Sequence, residues 1–301
     1  MLIHKSVSEK QERARKLFGE MPISKAIWIV AIPSLLASMM VGLYSFIDQI
    51  FILQFVPKYS NVFGKSDSEI VSYLTLSLHN VNTSELFKSY NEMLNAYNEQ
   101  ATIANVSKLT VINSNTIVST TTASFTPLII FSNAIVYLVP VGSSIYYTKC
   151  IGKKLEKTGK NLWATMFWVS VILSVLSSFI TFIAIWSGLL DKIAGVTKID
   201  SIVAKNANIS AERLQDFYNA AHKLSVQWAK QYIYIYASAT VLQCLTLYLS
   251  YFIRSEGYNT YVMVCGIVAN LINIALDALF IINFKMGVLG GVVATVIKLG
   301  Q

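Results

Sequence analysis

The stretch that decides the fold is residues 261–282, YVMVCGIVANLINIALDALFII. At about 22 residues it is long enough to cross a bilayer of roughly 30 Å as a single helix. Within it stand one ionisable residue, Asp277, and two amides, Asn270 and Asn273. Their spacing, i, i+3 and i+7, places all three on one stripe of an otherwise apolar cylinder. A carboxylate at membrane depth costs on the order of 3 kcal/mol to insert, so it is expected to face protein or a water-filled cavity and to have a task. The plainer alternative is that Asp277 sits near the interface and the two asparagines only stitch helices together.

Composition extends this reading to the whole chain. Of 301 residues, 54% are hydrophobic and 13% are charged. A soluble domain carries about 25% charged residues, so the chain is expected to be an all-α, multi-pass membrane protein embedded in the lipid bilayer. The net charge of +8 collects in a few segments between apolar runs, which is a topology signal and points to no nucleic acid partner. Cys150, Cys244 and Cys265 are odd in number, lie in or beside apolar runs and lack metal-ligand spacing, so neither a disulfide framework nor a zinc site is expected. Nothing near the first apolar run has the form of a cleavable signal peptide.

Residues 1–22 form a polar, basic tail, expected to be cytoplasmic. Spanning helices are then expected at about 24–55, 127–147, 162–190, 225–253, 259–282 and 287–301, which together with their connections make a transmembrane lobe over 23–301. The first carries Pro33, expected to kink it, and a second intramembrane carboxylate, Asp48, one turn after Tyr44. Residues 57–122, rich in Asn, Ser and Thr and poor in lysine, are expected to be an extracytoplasmic insert, folded or partly disordered, with an amphipathic helix over 84–100. Lys149, Lys153, Lys154, Lys157 and Lys160 mark a cytoplasmic loop. Trp163, Trp168 and Trp186 fall near helix ends, as interfacial anchors do. A short helix over 210–223, capped by Ser210, precedes the fourth span. Gly287, Gly290 and Gly291 let the last helix approach a neighbour closely.

With the N-terminus inside, Asp48 and Asp277 fall at similar depth in the outer halves of their helices. Thr295, about eight residues into the last helix, reaches the same level. Two carboxylates with amides and a hydroxyl describe an oxygen-lined pocket for a proton or a small hard cation.

These segments resemble a known family. AIPSLLASMMVGLYSFIDQIFI, VPVGSSIYYTKCIGKK, FIRSEGYN, NLINIALDALFI and MGVLGGVVAT are similar, in order, to the N-terminal lobe of multidrug and toxic compound extrusion (MATE) transporters of the MOP flippase superfamily. The resemblance implies twelve helices in two lobes, of which this chain supplies the first, with its sixth helix incomplete and a second lobe coming from an extension of the same gene or from a partner chain. It implies an antiporter that exports small organic, often cationic compounds in exchange for Na+ or H+, with no cofactor and no catalytic chemistry. It carries the coupling site onto Asp48, Asn273, Asp277 and Thr295. Three features depart from the family: Ala278 replaces a common proline, the 57–122 insert is unusual, and the chain stops within the sixth helix.

Two other functions compete. A lipid-linked oligosaccharide flippase of the same superfamily is expected to line its cavity with basic residues, and the helix interiors here show almost none. A non-transporting membrane scaffold leaves Asp48 and Asp277 without a role. An enzyme is disfavoured, because His4, His79 and His222 all fall outside the spans and no nucleophile is paired with a base.

Overall fold

A computed structural model describes residues 20–59, 69–78 and 83–299. The tail through Gly19, with His4, and residues 79–82, with His79, lie outside the described residues. The described residues are mostly helical and contain no strand. In order they form α1 (Ile23–Ile50), α2 (Glu69–Leu78), α3 (Thr83–Ile103), α4 (Ser114–Gly152), α5 (Glu156–Trp186), α6 (Leu189–Ala194), α7 (Ser201–Asn206), α8 (Ala211–Ser255), α9 (Asn259–Asp277) and α10 (Val288–Leu299). Two π-helical turns interrupt this order, Phe51–Phe55 after α1, followed by a single helical turn Val56–Tyr59, and Ala278–Asn283 after α9.

Four described helices are long and apolar enough to cross a membrane: α4, α5, α8, and α9 with its π-turn, out to Asn283. Among the described residues, shorter apolar stretches occur in α1 and α10. The protein is therefore all-α and membrane-associated. Its packing runs opposite to that of a soluble bundle. In α5, Ser170, Ser174, Ser177, Ser178 and Thr181 are buried, while Ile172, Val175, Phe179 and Ile183 face outward. Small hydroxyl residues let backbones close in and bond across, which is how helices associate when lipid is as apolar as leucine. Ser132 of α4 and Ser177 of α5 lie 3.0 Å apart, and Ser178 donates to the Ala237 carbonyl of α8.

Two of these helices are longer than the spans expected from hydropathy. α4 begins at Ser114, inside the polar insert, where Asn113 and Thr116 form a reciprocal capping box at 2.9 Å in each direction. The short helix expected over 210–223 and the span expected over 225–253 are one continuous helix of 45 residues, capped by Ser210. The remaining spans differ mainly at their ends: α5 stops at Trp186 and not near 190, and α10 begins at Val288. Pro33 lies inside an uninterrupted α1, and the break in that helix comes later, at the π-turn.

The insert is ordered where it is described. α2, α3, α7 and the first turns of α8 share a core that includes Leu74, Tyr90, Tyr97 and Phe217. Its loops are tied down through tyrosines: Ile112 N donates to Tyr90 Oη at 2.8 Å, and Tyr218 Oη donates to the Thr110 carbonyl at 2.6 Å. Asn98 brackets Leu109, accepting from its N–H at 2.8 Å and donating to its carbonyl at 3.2 Å. A helical cap thus sits on one end of the bundle. At the other end, the lysine-rich α4–α5 turn lies beside the α8–α9 turn, where Ser255 Oγ donates to the Ser144 carbonyl at 3.2 Å and Tyr147 Oη donates to Glu256 at 3.4 Å.

Candidate functional site

α9 packs along α1 on one side and along α10 on the other, α10 also packs on α8, and the π-turn after α1 packs on the π-turn after α9. The asparagine stripe of α9 turns inward: Asn270, Asn273 and Asp277 are buried, whereas Val264, Val268 and Leu271 are exposed. Asp277 and Asn273 are 0% exposed, and Asp48 on α1 is 8% exposed.

Each carboxylate stands just before a π-turn. Ala278 opens the second one, and Phe284 N bonds to the Leu279 carbonyl at 3.0 Å in the i to i+5 pattern. Ala278 is thus the first residue of a wide turn.

α10 approaches Asp48 through glycine. A Cβ on Gly291 would lie 3.7 Å from Asp48 Oδ1 and 3.3 Å from Ile52 Cδ1. One turn on, Thr295 Oγ1 lies 3.2 Å from Tyr44 Oη. Gly290 seats the same helix on the second π-turn, since its Cβ would meet Phe280 Cβ and Ile281 Cγ1 at 3.1 Å. Gly290→Leu should therefore lift α10 off Phe280 and cost about 1–3 kcal/mol of stability by overpacking. Thermal unfolding of the purified variant reads this as a clear fall in Tm, and an unchanged Tm would mean that α10 is not seated there.

Of the four expected residues, Asp48 faces α10 at Gly291 and lies within electrostatic reach of Asp277, Thr295 meets Tyr44 one turn from Asp48, and Asn273 lies one turn before Asp277 on the same buried face of α9. Several of their atoms have no hydrogen-bond partner despite burial: Asp48 Oδ1, both carboxylate oxygens of Asp277, and both amide atoms of Asn273. Buried polar groups are normally paired, so a cluster of this kind needs an explanation. Four of these atoms are oxygens, the donor set that a hard cation takes. Among the described residues no three His, Cys, Asp or Glu side chains gather. With only two carboxylates the set fits a monovalent cation or a proton better than a thiolate- or imidazole-bound metal.

Residues that the sequence reading did not single out complete the site. Tyr232 of α8 lies within electrostatic reach of Asp48 and Asp277, and its ring stacks on Phe125 with centroids 4.0 Å apart. One turn on, Tyr236 Oη lies 2.7 Å from Asn133 Oδ1 and 3.1 Å from Gln243 Oε1, and Gln243 Nε2 donates to Asn133 Oδ1 at 3.0 Å. Lys298 places its Nζ 3.4 Å from the centroid of the Tyr44 ring. The helix interiors near the site are therefore not free of basic residues. A signal was present, because Lys298 follows Thr295 by three positions and so shares its face of a helix.

No family model and no solved structure matches the chain. It is 29% identical over 300 residues to an uncharacterized protein of Mycoplasmoides gallisepticum, an alignment that covers 95% of this chain and 47% of that protein. It is 24% identical over 291 residues to an uncharacterized protein of Mycoplasma genitalium, covering 95% of this chain and 47% of the relative. A third relative, from Mycoplasma pneumoniae, is 26% identical over 279 residues, covering 93% and 46%. The chain spans about half the length of the curated relatives it matches.

Proposed function

We propose that this chain forms one lobe of a cation-coupled exporter of small organic, cationic compounds, with Asp48, Asn273, Asp277 and Thr295 as its coupling pocket. The observation that carries the reading is the cluster of unpartnered oxygens on Asp48, Asn273 and Asp277, buried at a junction of apolar helices. Burying two carboxylates together serves no purpose in a passive scaffold, because unpaired buried charge is strongly destabilising. It serves a purpose where a cation or proton arrives and leaves. The family resemblance assigns the same four residues, and the greater length of the relatives leaves room for a second lobe of similar size.

The coupling follows from charge. With a cation or proton between Asp48 and Asp277 the two helices are held together. On its loss two negative charges face each other across a poorly hydrated junction and favour a different helix arrangement. The π-turns that follow each carboxylate provide the points of change, since such turns leave the regular i to i+4 ladder and recur at functional sites.

The test is transport. Full-length protein in liposomes, given an inward Na+ or proton gradient, should export a fluorescent organic cation such as ethidium. Absence of export under both gradients, with insertion intact, would sink the reading. The 301-residue lobe alone should export nothing, because alternating access needs two bundles rocking about a shared cavity. Gradient-driven export by the purified, monomeric lobe would contradict that.

The orientation is part of the proposal. The lysine-rich turn between α4 and α5 belongs in the cytoplasm and the cap outside, with the N-terminus inside and the chain multi-pass in the cell membrane. A cysteine at Thr158, exposed beside the buried Gly159, should react with an impermeant maleimide only in inverted vesicles, and one at Asn95 only in intact cells. The reverse pattern would overturn the topology.

A further inference from the structure

The pocket holds a feature that the coupling-site reading does not use. Gly291, Thr295 and Lys298 fall at i, i+4 and i+7 on α10, so one face of that helix presents a gap, a hydroxyl and an ammonium in turn. The gap lies against Asp48, the hydroxyl against Tyr44 Oη, and the ammonium against the Tyr44 ring. Both carboxylates lie within electrostatic reach of Lys298. Even so, both oxygens of Asp277 and Oδ1 of Asp48 have no hydrogen-bond partner, and among the described residues no ion pair joins Lys298 to either carboxylate. The half-buried ammonium rests on a π-face while two buried carboxylates stand nearby.

Building on the coupling pocket proposed above, we propose that Lys298 is a tethered cation. It rests on the Tyr44 ring while a free cation or proton serves Asp48 and Asp277, and it swings onto the carboxylates when that ion leaves. The physical basis is a ranking of hosts. A tyrosine face attracts an ammonium only modestly, and a pair of unserved buried carboxylates attracts it far more strongly. The ring is therefore the resting place only when the carboxylates are otherwise satisfied. The move needs no backbone change. Tyr44 and Asp48 are i and i+4 neighbours on α1, roughly 6 Å apart at Cβ, and the four-carbon lysine stem covers that distance by changing rotamers.

Charge count gives the device its use. Two carboxylates and one ammonium sum to a single negative charge, which one monovalent cation or one proton neutralises. With Lys298 on the ring the ion seat is open. With Lys298 on the carboxylates the seat is closed to a returning ion, and the bare repulsion of two buried charges is relieved. The lysine thereby competes with the coupling ion and sets its apparent affinity.

The experiment is equilibrium binding of 22Na+ to the purified full-length protein. Lys298→Met keeps the length and apolar body of the stem and deletes the competitor, so it should tighten Na+ binding at least tenfold. Lys298→Arg should stay near wild type, and Lys298→Met with Asp277→Asn should lose binding altogether. If Lys298→Met binds Na+ as wild type does, or more weakly, and Asp277→Asn still abolishes binding, the tethered-cation proposal is overturned and the pocket stands. If no form binds Na+, the competitor is overturned too, and the transport assay alone then decides the pocket as a proton site. A measurement on the wild type covers a variant that does not fold: amine labelling read by mass spectrometry. Na+ should speed modification of Lys298 several-fold relative to choline, by releasing it from the carboxylates, and should leave Lys285 unaffected. Equal labelling of Lys298 in Na+ and choline would refute the swing.

Discussion

Asp277→Asn in the full-length protein should bring ion-driven export down to background, and Asp48→Asn should do the same, while both variants insert and purify at wild-type levels. Asparagine keeps the size and shape of aspartate and removes only the charge. Asp277 is 0% exposed with both oxygens unpartnered, so its charge contributes no visible bond to stability. Neutralising it relieves an uncompensated buried charge, and Tm should hold or rise. Loss of export with an unchanged or higher Tm is the separation that marks a functional carboxylate. The double variant should be little worse than either single one, because groups that act as a unit lose their effect together. If both single variants export with normal ion dependence, the carboxylates are only structural.

The second large effect is expected far from the site. Tyr90→Ala should destabilise the cap by about 3–5 kcal/mol, the usual range for truncating a large aromatic in a packed core. The ring is fully buried against Phe217, with centroids 5.0 Å apart, and its hydroxyl satisfies Ile112 N–H. Tyr90→Phe should cost about 1–3 kcal/mol, the penalty for leaving that donor unpaired. Limited proteolysis of intact cells should then cleave the Tyr90→Ala protein within residues 83–112 at protease levels that leave the wild type whole. Equal resistance would show that the cap does not fold around this tyrosine.

The helical, lipid-embedded character was readable because it depends on apolar runs of membrane length, and the inward face of α9 was readable because Asn270, Asn273 and Asp277 repeat with the helical period. The true start of α4 was hidden. Its first turns, SNTIVSTTTASFT, have the composition of a loop, yet Thr121, Thr122, Ser124 and Thr126 each bond back to the carbonyl four residues earlier and satisfy their hydroxyls within the helix. The merger of 210–223 with the following span was hidden for a similar reason. The polar half packs on the cap and the apolar half on the bundle, so no single hydropathy window fits both. The π-turns leave no mark in composition, and they show only in the backbone bonds of Phe51–Phe55 and Ala278–Asn283. Lys298 was overlooked because a lysine at the end of an apolar run usually anchors at the interface. Its spacing from Thr295 hints at the shared face, and its distance from the Tyr44 ring shows its other surroundings.

The unbroken length of α8 has a mechanical consequence. At 1.5 Å per residue its 45 residues extend about 68 Å, more than twice the thickness of a hydrocarbon core. Its early residues, Leu214 and Phe217, belong to the cap core, and Tyr232 lies within electrostatic reach of both carboxylates. The helix is therefore a lever with its fulcrum near the pocket, close to its middle, and one arm in the cap. A tilt of about 10° at Tyr232 moves the first turn of α8, roughly 30 Å away, by about 5 Å. A sub-ångström rearrangement around Asp48 is thus geared up into a displacement that a spectroscopic label on the cap can register. The gearing also runs backwards: an antibody gripping the cap applies the brake at the end of the arm where it has the most leverage.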